Sequence, residues 1–454
     1  MGRPNVVIIH WHDTGRHLGA YGREHVHSPN VDRLAEEGVR FDRAFSTAPL
    51  CSPARASLFT GRYPHSNGMM GLAHLGWEYH ANERTLPMLL ASDGYRSVLV
   101  GLQHESADPT TLGYDMVIDL NADRQAAPVV AELAADQLQT LAAGEAPFLM
   151  VVGMFEPHRP FPAHRFPVNP GTPVDMPPYL VDTDQARDDL RGFHSAITYA
   201  DQATGRILDA IDGHGLDRDT IVIFTTDHGI PFPRAKSTLY DAGIEVAMIV
   251  RMPTGTQAPA PASDQLVSLV DVTPTVLDLL DVAPPANLQG VSFAGALRPA
   301  DTTRPADPSR GQPQPRAEIF AEKNWHGLRQ YDPVRCVRTG SHKYIVSFED
   351  RPHVPLPSDI AQSGSAIGVD AERERGRVEL YDLTADPHET TNLAGEPSLA
   401  EVEADLARRL REWQISTHDP VLEGPVQAAR VMGSAGGPRH SRTELIEPVF
   451  VQRN

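Results

Sequence analysis

The sequence predicts an α/β fold built on a large, mostly parallel sheet. Short apolar runs rich in β-branched residues alternate with segments of helical periodicity through the first 300 residues. The runs lack polar alternation, which is typical of strands that a parallel sheet buries on both faces. Regular alternation of strand and helix indicates helices layered on either side of that sheet. The predicted strands are Val6–Ile9, Ser97–Val100, Phe148–Val152, Ile221–Phe224 and Ala247–Val250, and the predicted helices are Asn30–Glu37, Leu86–Ser92, Ala127–Leu141 and His194–Ile211.

The remainder of the chain predicts a smaller unit. Residues 301–316 are dense in Pro, Asp, Thr and Gln, and we interpret them as a linker between a large domain at 1–300 and a C-terminal subdomain at 317–454. We expect the subdomain to be a small antiparallel sheet with one helix packed on it. Its extended tail, Gly433–Asn454, either covers the body or contacts another copy in a homo-oligomer. The predicted strands are Glu318–Ala321, Cys336–Thr339, Lys343–Ser347 and Val378–Leu383, and the predicted helix is Ser398–Ser416.

Composition and charge exclude some classes of function. The chain has 454 residues, with 40 Lys and Arg against 59 Asp and Glu, and its net charge is −19. This balance argues against a nucleic-acid partner and against an anionic membrane partner. No apolar stretch approaches the roughly 20 residues of a membrane span, and no signal-peptide pattern precedes the first strand, so we expect a cytoplasmic location. The two cysteines, Cys51 and Cys336, indicate no disulfide framework.

Cys51 and Arg55 belong to the most informative segment. Cys51 is followed by Ser-Pro and then by a predicted helix that begins near Ala54. A helix N-terminus favours anions through its dipole and its N–H groups, and it activates a thiolate. Arg55, one turn further on, could hold an oxyanion with two parallel hydrogen bonds. A cysteine in this position is either an inert buried residue or a nucleophile.

Two acid–histidine pairs follow predicted strands. His12-Asp13 follows the first predicted strand, and Asp227-His228 follows the fourth. The carboxyl ends of parallel strands share one edge of a sheet, where open α/β sheets bind their ligands. We therefore expect a divalent metal at this edge. Oxygen ligands suit Ca²⁺, whereas imidazole suits Mn²⁺ or another transition metal.

The segment from Cys51 to Arg62, Cys-Ser-Pro-Ala-Arg-Ala-Ser-Leu-Phe-Thr-Gly-Arg, resembles the signature of the sulfatase family over its whole length. The resemblance implies an alkaline-phosphatase-like fold and an enzyme that releases inorganic sulfate from a small sulfated substrate. It also implies that a formylglycine-generating enzyme oxidises Cys51 to formylglycine. The hydrated aldehyde of formylglycine would then attack sulfur and share in binding the metal.

The resemblance extends to both metal pairs, with departures. The family most often has Asp-Asp where this chain has His12-Asp13, and Asp-Asn where it has Asp227-His228. The family pattern implies Ca²⁺. The two histidines favour Mn²⁺ or another transition metal instead, because imidazole is a softer ligand than oxygen.

Other polar positions match residues that the family uses for catalysis or substrate binding. His104 ends the segment Gly-Leu-Gln-His, where the family usually has Gly-Lys-x-His, so Leu102 replaces a lysine that contacts the anion. The resemblance implies that His158 protonates the leaving group and that Lys236 contacts the anion. Candidates for lining the substrate pocket, each explained equally well by packing, are His17, His74, Trp77, Trp325 and His326.

Three segments resemble one branch of the family, the sulfamidases or heparan N-sulfatases. They are Pro64–Leu72, Asp227–Pro233 and Thr417–Pro420. This likeness implies a sulfated amino sugar or a small organic sulfate as substrate. Three alternatives stay open. One is a formylglycine-dependent phosphonate monoester or phosphodiester hydrolase, which also carries an Asp-His metal pair. The others are a non-catalytic binder of sulfated sugars and a thiol phosphatase that uses unmodified Cys51 with Arg55.

Overall fold

Two sheets and the helices around them make up the structure. The computed structural model describes residues 3–118, 120, 126–256, 260–298, 315–327 and 330–429, and the backbone of 449–450. The strands are β1 (Asn5–Trp11), β2 (Val39–Phe45), β3 (Arg96–Gly101), β4 (Met116–Ile118), β5 (Phe148–Gly153), β6 (Thr220–Thr226), β7 (Met248–Arg251), β8 (Ala262–Ser268), β9 (Glu318–Trp325), β10 (Tyr331–Thr339), β11 (His342–Ser347), β12 (Val378–Asp382) and β13 (Val449–Phe450). The helices are α1 (Pro29–Glu37), α2 (Cys51–Thr60), α3 (Pro64–Asn67), α4 (Leu86–Ala91), α5 (Ala127–Ala142), α6 (Asp184–Gly213), α7 (Asp241–Ile244), α8 (Val272–Leu279), α9 (Ser358–Ala361) and α10 (Ala400–Thr417).

The large sheet has nine strands in the order β13-β4-β3-β5-β1-β6-β7-β2-β8. Strands β4, β3, β5, β1 and β6 are parallel, and β7 runs antiparallel to β6. β1 lies in the middle of the parallel part, with β5 on one side and β6 on the other. The carboxyl ends of β3, β5, β1 and β6 therefore share one edge, where ligands bind in open α/β sheets.

Helices cover both faces of the large sheet. On β1, Val7 and Ile9 pack with α1, α5 and α6, whereas Val6 and Ile8 pack on the opposite face with α2, α4 and α8. None of the four side chains is exposed, which explains why this strand has no polar alternation. The predicted α/β class and mostly parallel sheet are confirmed.

The small sheet is antiparallel, with the strand order β12-β11-β10-β9. One face packs against the body of the large sheet, where Cys336 and Ile345 share a cluster with Phe45 and Tyr240. The other face is covered by α10, whose Trp413 packs among the strand residues. A small antiparallel sheet with a helix on it is confirmed. Cys336 is a core residue, and burial raises the pKa of its thiol to about 12.

Some elements differ from the sequence-based expectation. Strands β2, β4 and β8 and helix α8 were not predicted. β2 carries charged residues on its partly exposed side, and β4 is only three residues long. α6 begins at Asp184, not at His194, and Thr183 Oγ1 caps it by accepting from Ala186 N at 3.1 Å. The first turns of α6 are dominated by charged residues, so they show little apolar periodicity.

Several predictions fall on residues outside the described part of the chain. These include 301–314 of the linker and most of the tail, although the backbone of β13 pairs antiparallel with β4. The division into domains at 300 and 317 and the cytoplasmic location stay predictions. Among the described residues, no helix is both long enough and apolar enough to cross a membrane.

A buried ion pair ties the small sheet to the turn after α10. Arg335 donates from Nε and Nη2 to the two carboxylate oxygens of Asp419, each at 2.7 Å, and neither side chain is exposed. Removing Asp419 leaves the buried charge of Arg335 with only the longer contact to Glu322, at 3.5 Å, and breaking a buried pair in this way costs up to about 3–5 kcal/mol. We therefore expect Asp419→Ala to lower the melting temperature by several degrees, as followed by circular dichroism.

The matched control for Asp419→Ala is Arg408→Ala, which breaks an exposed pair with Glu412 on α10. Solvent-exposed pairs contribute little to stability, so the melting temperature of this variant should equal that of the wild type. Similar melting shifts in the two variants would contradict the importance of the buried pair.

Candidate active site

Two polar pairs meet at the carboxyl edge of the parallel strands. The last residues of β1 and β6 are register partners, so the residues that follow these strands emerge side by side. The structure thereby brings His12-Asp13 next to Asp227-His228. The ends of β5 and β3 lie beside β1 at the same edge.

Asp227 fixes the backbone of both pairs. Its Oδ1 accepts hydrogen bonds from the N–H groups of Asp13 and His228, each at 2.9 Å. Asp13 has a φ of 46°, a left-handed conformation that is uncommon outside glycine. Such strain persists only where the surroundings impose it, and it clusters at functional sites. A Cβ on Gly229 would lie 1.8 Å from the carbonyl oxygen of Ala242, so this turn requires glycine.

Five buried side chains converge at this edge. His12, Asp13, Cys51, Asp227 and His228 each place one potential ligand atom within 4.8 Å of the others. Asp13 Oδ1 lies 2.8 Å from His12 Nδ1 and 3.0 Å from His228 Nε2. Ligand atoms bound about 2.1 Å from one ion lie about 3.0–3.5 Å apart. The five residues therefore fit one divalent metal.

Both histidines are held in positions that suit a metal ligand. His228 Nδ1 donates to the carbonyl oxygen of Gly229 at 3.0 Å, which directs Nε2 into the cluster. Burial opposes protonation, but Asp227 and Asp13 raise the pKa of His228 well above its usual value. Burial likewise opposes protonation of His12, yet its anionic neighbours raise its pKa to about 9. A divalent cation would replace the protons that these rings carry in the protein alone.

Cys51 lies in the first turn of α2. The helix begins at Cys51 itself and not near Ala54, because Pro53 is accommodated in the first turn, where no N–H donates within the helix. Cys51 Sγ is 3.4 Å from His228 Nε2 and 3.8 Å from His12 Nδ1. Burial alone would raise the pKa of the thiol, but the positive charge of His12 and other neighbours holds it well below its usual value.

Arg55 lies one turn after Cys51 and contacts the metal-type cluster. Its Nε donates to Asp227 Oδ2 at 3.2 Å, and the side chain is 1% exposed. Arg55 Nη2 has no hydrogen-bond partner among the described residues. A buried donor without an acceptor costs free energy, so this atom fits an anionic oxygen that arrives with a ligand.

Lys236 links the cluster to the entrance of the site. Its Nζ donates to Asp13 Oδ2 at 2.7 Å, to Asp359 Oδ2 at 2.8 Å and to His158 Nε2 at 3.2 Å. Burial opposes the charge of Lys236, but Asp13 and other acidic neighbours raise its pKa above the usual value. A second positive group thus stands beside the cluster, next to Asp13.

His158 and His104 reach the site from the loops after β5 and β3. His158 Nδ1 donates to the carbonyl oxygen of Arg159 at 2.6 Å, which leaves Nε2 facing Lys236. Burial and then Lys236 lower the pKa of His158 to about 4, so its ring accepts a hydrogen bond in the protein alone. His104 Nε2 lies 3.0 Å from His74 Nδ1, and the two rings are stacked.

Residues 4–282 match the family model described as Sulfatase. The chain belongs to the sulfatase family. It is 29% identical over 473 aligned residues to N-sulphoglucosamine sulphohydrolase of Homo sapiens, and the match covers 93% of this chain and 92% of that protein. It is 26% identical to an ulvan-active sulfatase of Formosa agariphila, over 92% of this chain and 76% of that protein. The protein is therefore a hydrolase of sulfate esters or sulfamates.

Solved structures share the fold of this sulfatase. A Bacteroides thetaiotaomicron protein from its metabolism of glycosaminoglycans has a TM-score of 0.74 and 19% identity, over 92% of this chain and 97% of that chain. A protein solved with its substrate D-glucosamine-2-N,6-O-disulfate has a TM-score of 0.71 and 20% identity, over 93% and 99%. The phosphonate monoester hydrolase of Agrobacterium radiobacter has a TM-score of 0.69 and 21% identity, over 93% and 97%. These likenesses confirm the predicted alkaline-phosphatase-like fold.

The remaining sequence-predicted residues of the sulfatase lie in different surroundings. His326 Nδ1 is 3.0 Å from Ser237 Oγ, next to Lys236 in the chain. Leu102 lies just after β3 and supplies no charge. Packing accounts for three other pocket candidates. His17 contacts His194, and Trp77 and Trp325 belong to one hydrophobic cluster.

Sequence reasoning did not find Asp359 or Glu105. Asp359 lies on α9, in an irregular segment between β11 and β12, where no strand end or periodicity marks it. Glu105 directly follows His104, and that adjacency was the available signal. Glu105 is buried, and its burial raises its pKa to about 7.

The ligand set predicts how metal preference responds to His228→Asn. An amide oxygen in place of imidazole favours Ca²⁺ over Mn²⁺, because calcium prefers oxygen ligands. We expect the variant to bind relatively more Ca²⁺ after chelator treatment and incubation with both ions at equal concentration, measured by inductively coupled plasma mass spectrometry. His74→Asn, which lies outside the five-residue cluster, should keep the wild-type ratio. A ratio unchanged in His228→Asn would count against His228 as a ligand.

Proposed function

We propose that this sulfatase acts through a formylglycine made from Cys51 and through one divalent metal held by His12, Asp13, Asp227 and His228. The observation that carries the proposal is the position of Cys51 Sγ, 3.4 Å from His228 Nε2 and among the metal-type ligand atoms. Formylglycine supplies a hydrated aldehyde whose hydroxyl is the nucleophile towards sulfur. The metal supplies positive charge that acidifies this hydroxyl and polarises the sulfate oxygens.

The chain's own residues provide a binding site for the sulfate group. The Nη2 atom of Arg55 has no acceptor among the described residues and lies one turn after Cys51. The N-terminus of α2 adds N–H groups and a favourable dipole at the same place. Lys236 stands on the other side of Asp13. Arg55 and Lys236 would therefore bind the sulfate oxygens while their present partners, Asp227 and Asp13, bind the metal.

We assign proton transfer to the leaving group to two side chains that contact each other, Lys236 and His158. Their facing atoms, Nζ and Nε2, are 3.2 Å apart. Lys236 holds the proton in the protein alone, since it lowers the pKa of His158. His158 is partly exposed at 20%, which places it where a leaving oxygen or nitrogen has room to approach. A positioned acid of this kind assists departure of the leaving group.

The proposed substrate is a sulfated amino sugar or a small organic sulfate. Support comes from the nearly full-length match to N-sulphoglucosamine sulphohydrolase of Homo sapiens, at 29% identity. Further support comes from the shared fold of the protein solved with D-glucosamine-2-N,6-O-disulfate. The second candidate activity is hydrolysis of a phosphonate monoester, and His228 in the metal cluster favours it.

Mass spectrometry of the tryptic peptide Ala44–Arg55 tests the maturation. In protein co-expressed with a formylglycine-generating enzyme, we expect Cys51 to appear as the aldehyde or its hydrate. The peptide that contains Cys336 should keep its thiol and serves as the control. Cys51→Ala should lose turnover without a change in melting temperature. An unmodified Cys51 in the co-expressed protein would contradict the formylglycine proposal.

A substrate panel separates the two candidate activities. Matured, metal-loaded protein should release sulfate from 4-nitrophenyl sulfate and from N-sulfoglucosamine, and kcat/KM for these should exceed that for a phenylphosphonate monoester. All three substrates are monoanions, so charge does not separate them; the expectation follows from the nearly full-length match to N-sulphoglucosamine sulphohydrolase of Homo sapiens. A larger kcat/KM for the phosphonate would instead establish the second candidate. Cys51→Ala serves as the inactive control for each substrate.

A further inference from the structure

A carboxylate stands at the entrance of the anion site. Asp359 on α9 places Oδ2 2.8 Å from Lys236 Nζ and 3.9 Å from His158 Nε2. Its side chain is 23% exposed, whereas that of Lys236 is 3% exposed. Asp359 is therefore the solvent-side neighbour of the lysine that faces the sulfate.

This placement is unfavourable for an anion alone. A sulfate group that approaches Lys236 meets the negative charge of Asp359, and at this range like charges repel appreciably in a partly buried site. The carboxylate oxygen Oδ1 of Asp359 makes no hydrogen bond among the described residues, while Oδ2 is held by Lys236. One oxygen thus orients the lysine, and the other can accept a hydrogen bond from a ligand.

We propose that Asp359 is a specificity-determining residue that selects substrates with a hydrogen-bond donor on the sulfated atom or next to it. The inference rests on the proposed sulfatase activity and names its substrate class more closely. Suitable donors are the sulfamate N–H and the neighbouring hydroxyl groups of a sulfated amino sugar. A substrate without such a donor leaves the carboxylate unpaired beside its sulfate and is rejected for that reason.

The small sheet supplies this residue. α9 lies in the connection between β11 and β12, whereas Lys236 and His158 follow strands of the large sheet. The connection thus adds a negative group to an anion site built by the large sheet. Among the described residues, Asp359 makes no hydrogen bond to the five residues of the metal-type cluster, and it is linked to them through Lys236, which contacts Asp13.

The test compares kcat/KM for N-sulfoglucosamine and for 4-nitrophenyl sulfate, which has no donor next to its sulfated atom. In Asp359→Ala we expect the ratio of kcat/KM for the sugar to kcat/KM for the aryl ester to fall at least tenfold. Asp359→Asn keeps an acceptor oxygen and should shift the ratio in the same direction by less. The control is Asp350→Ala, whose side chain is 97% exposed on the same connection and whose ratio should match wild type.

The outcomes distinguish the inference from the function on which it rests. If wild type hydrolyses both substrates and Asp359→Ala lowers both rates by the same factor, Asp359 only positions Lys236 and the inference is overturned. Hydrolysis of the aryl ester alone by wild type would overturn it as well. If wild type hydrolyses neither substrate, the proposed function fails. The affinity of Asp359→Ala for inorganic sulfate then tests the role of Asp359 separately.

Calorimetric titration with inorganic sulfate gives a readout that needs no turnover. Sulfate has no hydrogen-bond donor, and the carboxylate of Asp359 competes with it for the ammonium group of Lys236. We expect Asp359→Ala to bind sulfate at least threefold more tightly than wild type, and Asp350→Ala to bind it equally well. Unchanged or weaker binding in Asp359→Ala would overturn the inference.

Discussion

Two buried carboxylates, Asp13 and Asp227, lie side by side with no exposure to solvent, and the rest of the site depends on compensating their charge. A buried charge without partners costs several kcal/mol. Burial would raise the pKa of Asp13, but Lys236 and the surrounding histidines lower it well below its usual range. Asp227 receives two backbone N–H groups and the Nε of Arg55. Arg55 and Lys236, which stabilise the carboxylates, are also the residues proposed to bind the sulfate oxygens, so in this proposal stability and function share the same contacts.

The position of the carboxylates follows from the sheet. Because β1 and β6 are adjacent and parallel, their carboxyl ends deliver both acids to one point. The small sheet then closes the site from the other side. A buried ion pair holds it there, since Lys343 Nζ on β11 lies 2.5 Å from Asp241 Oδ1 on α7. A docked small sheet is needed to place α9, so the active site is complete only when both sheets are in contact.

Much of this arrangement could be read from the sequence, for a physical reason in each case. Apolar runs predicted the buried parallel strands, and acid–histidine pairs directly after two of them predicted the cluster at their ends. The motif identifies Cys51, although α2 begins at Cys51 and not near Ala54, because its first turn accommodates Pro53. Asp359 could not be found, since its position depends on a long-range contact with Lys236. Strand β2 was missed because its charged residues conceal the strand pattern.

Two of the three departures from the family pattern, at positions 12 and 102, compensate each other in charge. The usual pattern has three aspartates and one asparagine around the metal and a lysine at position 102, so a divalent ion leaves these groups neutral in sum. Here His12 replaces one aspartate, and Leu102 replaces the lysine. Two aspartates, neutral histidines and a divalent ion again sum to zero. The sum of formal charge at these positions is thus the same in this chain as in the family pattern, although Leu102 itself is only partly buried.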